Sequence, residues 1–461
     1  MAEPFDLAVV GAGPGGYSGA LRAAQLGMRV VVVERERAGG LCGNWGCIPS
    51  KAILASAEVY QRALHGEGLG IVPGTLGFDY GRIIEHSRGA AERVAKGVEG
   101  LLARAGVQLI QGEARLDASG QLCVAGQGAI PAARVLLAGG TVETRIEGVV
   151  VDPPAIVGSR EFLADRSLPE STVVIGGGPI GIEFAHALAS LGVRVTVLEA
   201  CPTILPGLEE TLGREIGRNF RRRGIEVRTS AAVASVVRTE GGIVVRGQER
   251  GQPFELQAER CLVAVGRRVD AEGLGLHDAR IEMEGGRVRV DSSYRTNRPE
   301  ILAVGDLLDS PPLAHVASAE AIAAVDILAG RRPEGRLDER RLPACVYVHP
   351  EIASVGLSRR EAVARGHAIL EGRVAYRALG RAVAADDDAG FLLLLADAHH
   401  GEILGAHICG AAASDLVSEV VVAMEAEATV RTLAEAVHPH PSFAEAIAEA
   451  ARACLGQASH L

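Results

Sequence analysis

The sequence is poor in aromatic residues and in lysine. Phenylalanine, tyrosine and tryptophan make up 3% of its 461 residues, and Trp45 is its one tryptophan. So few aromatic rings argue against surfaces that stack nucleic acid bases, and a net charge of −10 offers no basic footprint for nucleic acid. Of the 47 basic residues, only Lys51 and Lys96 are lysines. Because arginine serves wherever charge alone is needed, we expect Lys51 to be present for its compact ammonium group.

Long apolar runs and metal-ligand patterns are also lacking. No apolar run approaches the roughly 20 residues that span a bilayer, and the N-terminus enters an apolar strand without the features of a signal peptide. These absences predict a soluble, cytoplasmic protein that makes no membrane contact. The cysteines outside one motif show no Cys-x-x-Cys spacing, so no metal site is expected. The length is enough for about three domains.

Two copies of one βαβ unit occupy residues 7–34 and 173–199. Each copy has an apolar strand, a G-x-G-x-x-G turn, an alanine-rich helix and a second apolar strand that ends in glutamate, 23 residues after the first glycine. This spacing is close to the ~20 residues expected for a ribose-binding acid. We therefore predict two dinucleotide sites, each with a pyrophosphate at a helix N-terminus. The predicted binding residues are Gly11, Gly13, Gly16 and Glu34 in the first copy and Gly176, Gly178, Gly181 and Glu199 in the second.

The second site is predicted to prefer NAD. The carboxylate of Glu199 would repel a 2′-phosphate, and the following Ala200-Cys201-Pro202 supplies no arginine to bind one.

A cysteine motif, Gly40-Leu41-Cys42-Gly43-Asn44-Trp45-Gly46-Cys47-Ile48-Pro49-Ser50-Lys51, follows the first copy. In a regular α-helix, residues five apart have Cα atoms about 8 to 9 Å apart, beyond the ~7 Å that a disulfide tolerates. A bridge between the two cysteines therefore needs a distorted helix start, for which the glycines and the proline supply freedom. The motif predicts a redox disulfide beside a flavin. A disulfide that only braces the fold is the alternative, although cytoplasmic chains rarely keep such bridges.

This motif closely resembles the active-site segment of the flavin-dependent pyridine nucleotide-disulfide oxidoreductases. Its Ile-Pro-Ser-Lys ending is similar to that of the members that oxidise dihydrolipoamide. Leu41 and Trp45 depart from the threonine and the small aliphatic residue that are common there. Two further segments resemble family motifs: 301–306, the second FAD motif, and 438–445, the His-x-His-Pro-Thr motif.

The resemblance covers nearly the whole chain and implies an α/β fold. Two Rossmann-like dinucleotide-binding domains are expected, followed by a C-terminal α+β interface domain. The implied order is an FAD-binding domain over 1–144, an NAD-binding domain over 145–272, a central segment over 273–338 that completes the FAD site, and a dimerisation domain over 339–461. Within this last domain we predict two long helices, from Ala413 to Val437 and from Phe443 to Cys454, with Ser442 as the cap of the second.

The resemblance also implies residue roles. FAD belongs to the first copy, because the cysteines lie just beyond it. Gly305 and Asp306 also bind FAD, and Asp306 contacts its ribityl chain. A substrate thiolate attacks Cys42, and Cys47 lies nearer the flavin. His440 is the catalytic base and Glu445 its partner, while Lys51 and Glu183 form a buried pair that tunes the flavin. The resemblance further implies a homodimer in which His440 completes the partner subunit's active site.

The predicted reaction is the oxidation of a protein-bound or free dihydrolipoyl group with reduction of NAD+. One alternative is another disulfide reductase, glutathione-like or mercuric, although most of these use NADPH. Another is a flavin-bearing sensor or structural subunit without turnover, which would be expected to lack Cys42, Cys47 or His440. Val316 stands where the dihydrolipoamide-oxidising members usually have lysine. Together with Leu41 and Trp45, this departure favours a divergent branch with its own lipoyl carrier.

Overall fold

The chain forms two compact units in the computed structural model, which describes residues 3–72 and 74–459. The first unit contains the described residues up to Ala52 together with Arg82–Thr144 and Gly266–Asp338. The second contains Ile53–Gly81, Arg145–Val265 and the described residues from Glu339 onward. The predicted division into four domains stays a prediction, since each unit combines parts of several of them.

The first unit is built on a parallel sheet of five strands. Its buried strand Leu7–Val10 pairs with Val30–Glu34 on one side and with Val135–Leu137 on the other. Such continuous apolar runs are typical of parallel strands that are covered on both faces. In sheet order the strands are Ile301–Ala303, Val135–Leu137, Leu7–Val10, Val30–Glu34 and Gln108–Gln111.

Small residues allow the helix Pro14–Gln25 to pack closely on this sheet and on the helix Ala314–Leu328. A Cβ atom on Gly19 would lie 2.8 Å from a methyl carbon of Leu136 and 3.2 Å from the Cβ of Ala321. Two further helices, Gly40–Trp45 and Tyr80–Arg104, belong largely to this unit, and the helix Cys47–Leu64 begins in it. A 3-10 turn covers Gly305–Leu307. Two antiparallel strand pairs join Thr141–Glu143 to Arg267–Val269 and Met283–Glu284 to Arg287–Val288. A small antiparallel sheet contains the strands Ala114–Leu116, Leu122–Val124 and Gly128–Ala129.

The second unit contains a second five-stranded parallel sheet. Its strand order is Glu226–Thr229, Arg194–Glu199, Ser171–Ile175, Arg260–Val263 and Ile156–Val157. Each of the two parallel sheets contains one of the βαβ units that the repeat predicts. The accompanying elements are the helices Ser159–Ala164, Pro179–Ser190 and Glu210–Arg222, the 3-10 turn Gly66–Leu69, and the antiparallel strands Ala231–Thr239, Gly242–Glu249 and Gln252–Ala258.

The last part of the second unit is an antiparallel sheet covered by helices. Its strand order is Ala344–Val346, Ile352–Gly356, Ile403–Cys409, Phe391–Asp397 and Ile369–Ala375. The helices are Arg359–Ala364, Gly380–Ala384, Ala413–Glu425, Val430–Glu435 and Glu445–Cys454, with 3-10 turns at Glu339–Arg341 and Tyr376–Ala378. The predicted fold class is confirmed. In the part of the chain that the structure describes, no helix has the length and apolar character needed to cross a membrane.

The predicted single helix from Ala413 to Val437 is wrong. The structure has two helices, which are separated at Glu427 by a positive φ of 54°. A residue in this left-handed conformation cannot continue a right-handed helix. The last helix begins at Glu445, two residues later than predicted.

Candidate active site

The two G-x-G-x-x-G turns have the same backbone geometry. Gly11 and Gly176 adopt φ values of 91° and 111°, and a Cβ atom there would lie 2.6 Å from the carbonyl oxygen of Ala138 or 2.3 Å from that of Ala264. The third glycines are equally constrained, because a Cβ on Gly16 would lie 1.8 Å from the oxygen of Gly11. Side chains are thus excluded where the strand turns into the helix.

Each turn leads into a helix whose first residue is proline, Pro14 or Pro179, and whose N-cap is glycine. The N-caps Gly13 and Gly178 make no side-chain hydrogen bond, so the first amides of each helix are left to other partners. Open space surrounds the Cβ position of Gly178. Free amides and the helix dipole favour a bound anion, so both turns fit a pyrophosphate.

The two strand-end glutamates fold back on their own turns in the same way. Glu34 accepts hydrogen bonds from the backbone N–H of Ala12 at 2.7 Å and of Glu36 at 2.9 Å. Glu199 accepts from the N–H groups of Gly177 at 2.6 Å and of Cys201 at 2.7 Å. A carboxylate has about four acceptor positions. Each glutamate therefore keeps acceptor capacity for ribose hydroxyls beside the turn.

Asp306 lies in a hydrogen-bond network of the first unit. Its carboxylate accepts from the hydroxyl of Thr141 at 3.2 Å, and Arg287 donates to its backbone carbonyl at 2.5 Å. Arg267 donates to the Thr141 hydroxyl at 3.0 Å, and burial lowers the pKa of its guanidinium. Gly305, in the left-handed region at φ 69°, donates its N–H to another carboxylate, that of Glu320, at 2.7 Å.

Sequence reasoning missed Thr141, Arg267 and Glu320 as supports of the predicted FAD motif. Glu320 is 1% exposed, and burial raises the pKa of its carboxyl group. Glu320 lies 15 residues beyond Gly305 and so outside the predicted motif. The signal that the sequence offers is an acidic residue within the apolar stretch 319–325 of the helix Ala314–Leu328.

The cysteine motif packs against the first turn. The N–H of Gly39 donates to the carbonyl of Ala12 at 2.8 Å, and a Cβ atom on Gly40 would lie 2.5 Å from the Cα of Gly13. Burial, followed by the charge of Cys42, raises the pKa of Tyr17 in the first turn's helix. The cysteines are therefore held beside the first glycine turn, as their position in the sequence suggests.

The predicted helix distortion lies at Gly46. Cys42 is in the short helix Gly40–Trp45 and Cys47 begins the next helix, while Gly46 between them has φ −144° and ψ −114°. A Cβ on Gly46 would lie 3.1 Å from the carbonyl oxygen of Leu41 and 3.4 Å from the Cα of Cys42. The break thus lets the two cysteine-bearing turns approach each other.

The structure has two thiols at these positions rather than a disulfide. A hydrogen bond with the Cys47 thiol, together with burial, raises the pKa of Cys42, while the ammonium of Lys51 acts in the opposite direction. The two cysteine side chains are therefore neighbours. Their bridging stays a prediction.

Lys51 and Glu183 lie in different units. Lys51 is in the first turns of the helix Cys47–Leu64, close enough to Cys42 to act on its pKa. Glu183 is in the helix Pro179–Ser190, is 7% exposed, and accepts the backbone N–H of Tyr347 at 3.0 Å. Their pairing beside a flavin stays a prediction.

His440 and Glu445 form a pair in the second unit. The Nδ1 atom of His440 lies 2.8 Å from the carboxylate of Glu445, whose other oxygen accepts the N–H of Ser442 at 2.8 Å. The His440 side chain is 76% exposed. An imidazole whose Nδ1 is fixed by a carboxylate presents its Nε2 outward for proton transfer.

Ser442 does not cap the last helix, contrary to our prediction. The N-cap is Ala444, and among the described residues the Ser442 hydroxyl has no hydrogen-bond partner. The nearby His438 has a partner at each ring nitrogen. Its Nε2 lies 2.8 Å from the carboxylate of Glu419 and its Nδ1 lies 3.1 Å from the carbonyl of Ala436.

Cys42 and Cys47 lie beside a turn that fits a dinucleotide, which indicates an oxidoreductase that carries electrons between a dithiol and a nucleotide. Residues 5–321 match the family described as pyridine nucleotide-disulphide oxidoreductase, and residues 342–451 match its dimerisation domain. The chain therefore belongs to the pyridine nucleotide-disulphide oxidoreductase family.

Individual relatives agree with this assignment. The chain is 40% identical to a dihydrolipoyl dehydrogenase of Chlorobaculum parvum, over 98% of this chain and 97% of the relative. It is 36% identical to a dihydrolipoyl dehydrogenase of Bacillus subtilis over 100% of both chains. The crystal structure of LpdA from Mycobacterium tuberculosis superimposes with a TM-score of 0.89 at 28% identity, covering 97% of this chain and 99% of the other. The protein is thus an enzyme that uses FAD and NAD, and its dimerisation domain supports a homodimer.

Proposed function

We propose that the protein is a dihydrolipoyl dehydrogenase, which oxidises a dihydrolipoyl group to its disulfide and reduces NAD+ to NADH. The observation that carries the proposal is the pair of neighbouring thiols, Cys42 and Cys47, held against the first nucleotide turn. Relatives that match nearly the full chain at 35–40% identity have the same activity in their names. The second turn adds a strand-end glutamate, Glu199, that suits the ribose of NAD.

In the proposed mechanism, His440 takes the proton of one substrate thiol at Nε2, while Glu445 holds its Nδ1. The resulting thiolate attacks Cys42 of the oxidised pair, so that a mixed disulfide forms and Cys47 leaves as a thiolate. The second substrate thiol then attacks the substrate sulfur bound to Cys42. The lipoyl disulfide closes, and Cys42 leaves and regains a proton.

The chemistry supplied by bound FAD is the passage of the two electrons from the reduced cysteine pair to NAD+ as a hydride. Gly11, Gly13, Gly16, Glu34 and Asp306 would hold FAD. The turn of Gly176, Gly178 and Gly181, with Glu199, would hold NAD. Lys51 and Glu183 would tune the flavin, and the assignment of Cys47 to the flavin side follows the family resemblance.

The active site is proposed to be shared between two subunits. The imidazole of His440 is 76% exposed, and Val437, three residues earlier, is an apolar side chain that is 98% exposed. A second copy that packs over this segment would cover both side chains. The substrate is proposed to be a lipoyl group on a carrier protein, in the cytoplasm.

The alternative functions are less well supported. A glutathione-like or mercuric reductase would be expected to bind NADPH, and the carboxylate of Glu199, which accepts from the N–H of Gly177 in the second glycine turn, would repel a 2′-phosphate. A sensor or structural subunit without turnover would not need the His440–Glu445 pair or two neighbouring thiols, and this chain has both.

A steady-state assay tests the proposal. NAD+ reduction is measured with free dihydrolipoamide, and NADPH oxidation is measured in parallel with glutathione disulfide. We expect turnover in the first assay and only background in the second. The opposite result would replace the proposed function by that of a glutathione-type reductase.

The nucleotide preference is predicted to depend on Glu199. The double substitution Glu199→Ser and Ala200→Arg should move the ratio of kcat/KM values from NAD toward NADP, because it removes a repulsive carboxylate and adds a phosphate partner. The control Glu199→Gln keeps the shape of the side chain without its charge, so it should weaken the NAD preference without creating strong NADP use. An unmodified enzyme that already prefers NADP would contradict the placement of Glu199 on the ribose.

A further inference from the structure

Arg88 contacts the peptide between the two cysteines in two ways. It lies on the long helix Tyr80–Arg104, and its guanidinium carbon is 3.9 Å from the centre of the Trp45 ring. One of its Nη atoms also donates to the backbone carbonyl of Asn44, at 2.5 Å. Asn44 is in the last turn of a helix, where carbonyl groups have no partner within the helix. Arg88 therefore acts as a C-terminal cap and as a cation on an aromatic face.

Trp45 is tied to the nucleotide site on its other edge. Its indole Nε1 donates to the carboxylate of Glu36 at 3.2 Å, and the backbone N–H of Glu36 donates to the carboxylate of Glu34 at 2.9 Å. Trp45, which lies between the cysteines, thus connects the helix Tyr80–Arg104 to the segment that follows Glu34, the predicted ribose-binding acid.

The neighbouring residue on the long helix holds the other side of the break at Gly46. Ser87 is fully buried, and its hydroxyl donates to the carbonyl of Pro49 at 2.8 Å. Two successive residues of one helix, Ser87 and Arg88, therefore bind the turn that carries Cys47 and the turn that carries Cys42.

We propose that Arg88, Trp45 and Glu36, here called the tryptophan brace, position the redox cysteines and set the stability of their disulfide. Arg88 is a positioning residue that acts through Trp45 and Asn44. The inference rests on the proposed function in one respect, that Cys42 and Cys47 are the redox pair. A small aliphatic residue, as is common in the family at the position of Trp45, offers neither a ring face for Arg88 nor an N–H for Glu36.

The direction in which loss of the tryptophan brace shifts the equilibrium between disulfide and dithiol follows from geometry. A disulfide fixes its two sulfur atoms at about 2 Å, whereas two thiols tolerate a range of separations. Loosening the two turns therefore costs the disulfide form more than the dithiol form. Loss of the brace should make the disulfide easier to reduce.

The test is the equilibrium between the disulfide and the dithiol in buffers of reduced and oxidised glutathione. Trapping by alkylation and mass spectrometry of the peptide that contains Cys42 and Cys47 gives the fraction of each form. We expect Arg88→Ala to shift the equilibrium about tenfold toward the dithiol, which for two electrons is about 30 mV. Arg93→Ala is the matched control, because Arg93 is an exposed arginine on the same helix.

Two substitutions of the tryptophan separate its contributions. Trp45→Phe keeps a ring for Arg88 and loses the bond to Glu36, so its shift should be smaller than that of Trp45→Val, which loses both.

A purely structural role would lower the melting temperature or the FAD content of these variants and leave the equilibrium unchanged. An equilibrium within twofold of the unmodified protein in Trp45→Val, or in a folded Arg88→Ala, would overturn the proposal. The glutathione equilibrium needs no lipoyl substrate, so a failure of the dihydrolipoamide assay would be a separate result.

Discussion

Substitution of Cys42 or Cys47 by serine is expected to reduce dihydrolipoamide oxidation to background. A hydroxyl group has no sulfur with which to form a mixed disulfide or an internal one, so neither variant can complete the exchange. FAD should remain bound, because its predicted contacts lie at the first nucleotide turn and at Asp306 rather than at the thiols. The measurements are NAD+ reduction with dihydrolipoamide and the flavin absorbance of the purified variants.

The control for this prediction is Cys123→Ser. Cys123 lies in the small strand Leu122–Val124 of the same unit, with its sulfur 3.8 Å from the carboxylate of Asp117, and its loss should leave turnover unchanged. Substantial dihydrolipoamide oxidation by either Cys42→Ser or Cys47→Ser would remove the cysteine pair from the mechanism. A loss of activity that is accompanied by loss of FAD would show instead that the motif is needed to hold the cofactor.

The nucleotide-binding parts of the fold could be predicted from the sequence because their determinants are local. A buried strand, a glycine turn and a helix follow one another within about 30 residues, as a βαβ unit requires, and the spacing of 23 residues places Glu34 and Glu199 beside their own turns. The same local logic predicted a distorted helix start with freedom supplied by Gly43, Gly46 and Pro49, and the break lies at Gly46. Each of these features is specified by residues close together in the chain.

The supports of Asp306 could not be predicted in this way. Thr141 is 165 residues from Asp306, and Arg267 is 126 residues from Thr141. No periodicity connects positions that distant, because their contact depends on how the whole sheet is assembled. The same holds for Trp45, which the sequence marks only as a departure from the family and whose partner Arg88 lies 43 residues later.

Two predictions for the C-terminal helices were wrong, because the local backbone conformation differs from what the side-chain pattern favours. Apolar periodicity continues past Glu425, but the positive φ of Glu427 ends the helix there. Ser442 has the right chemistry for an N-cap, yet Glu445 already binds its backbone N–H and the helix begins later. The carboxylate that orients His440 therefore also organises the turn between them.

His440→Gln is expected to lower turnover by about 10²-fold or more, the usual contribution of a positioned general base. Glutamine has the length to contact Glu445 but cannot accept the proton of a substrate thiol. Glu445→Gln should cost less, because this residue only orients the imidazole and stabilises its charge. The measurement is kcat with dihydrolipoamide, and Glu435→Gln, at the exposed end of the helix Val430–Glu435, is the control.

A mixture of two inactive variants tests whether the site is shared. In a heterodimer of His440→Gln and Cys42→Ser subunits, one site combines the native Cys42 of the first subunit with the native His440 of the second, and the other site carries both defects. Because the His440 imidazole is 76% exposed on its own subunit, we expect activity to return when the subunits are allowed to exchange. If heterodimers verified by native mass spectrometry stay inactive while each parent binds FAD, then each site is built from one chain, and His440 must serve Cys42 of its own subunit.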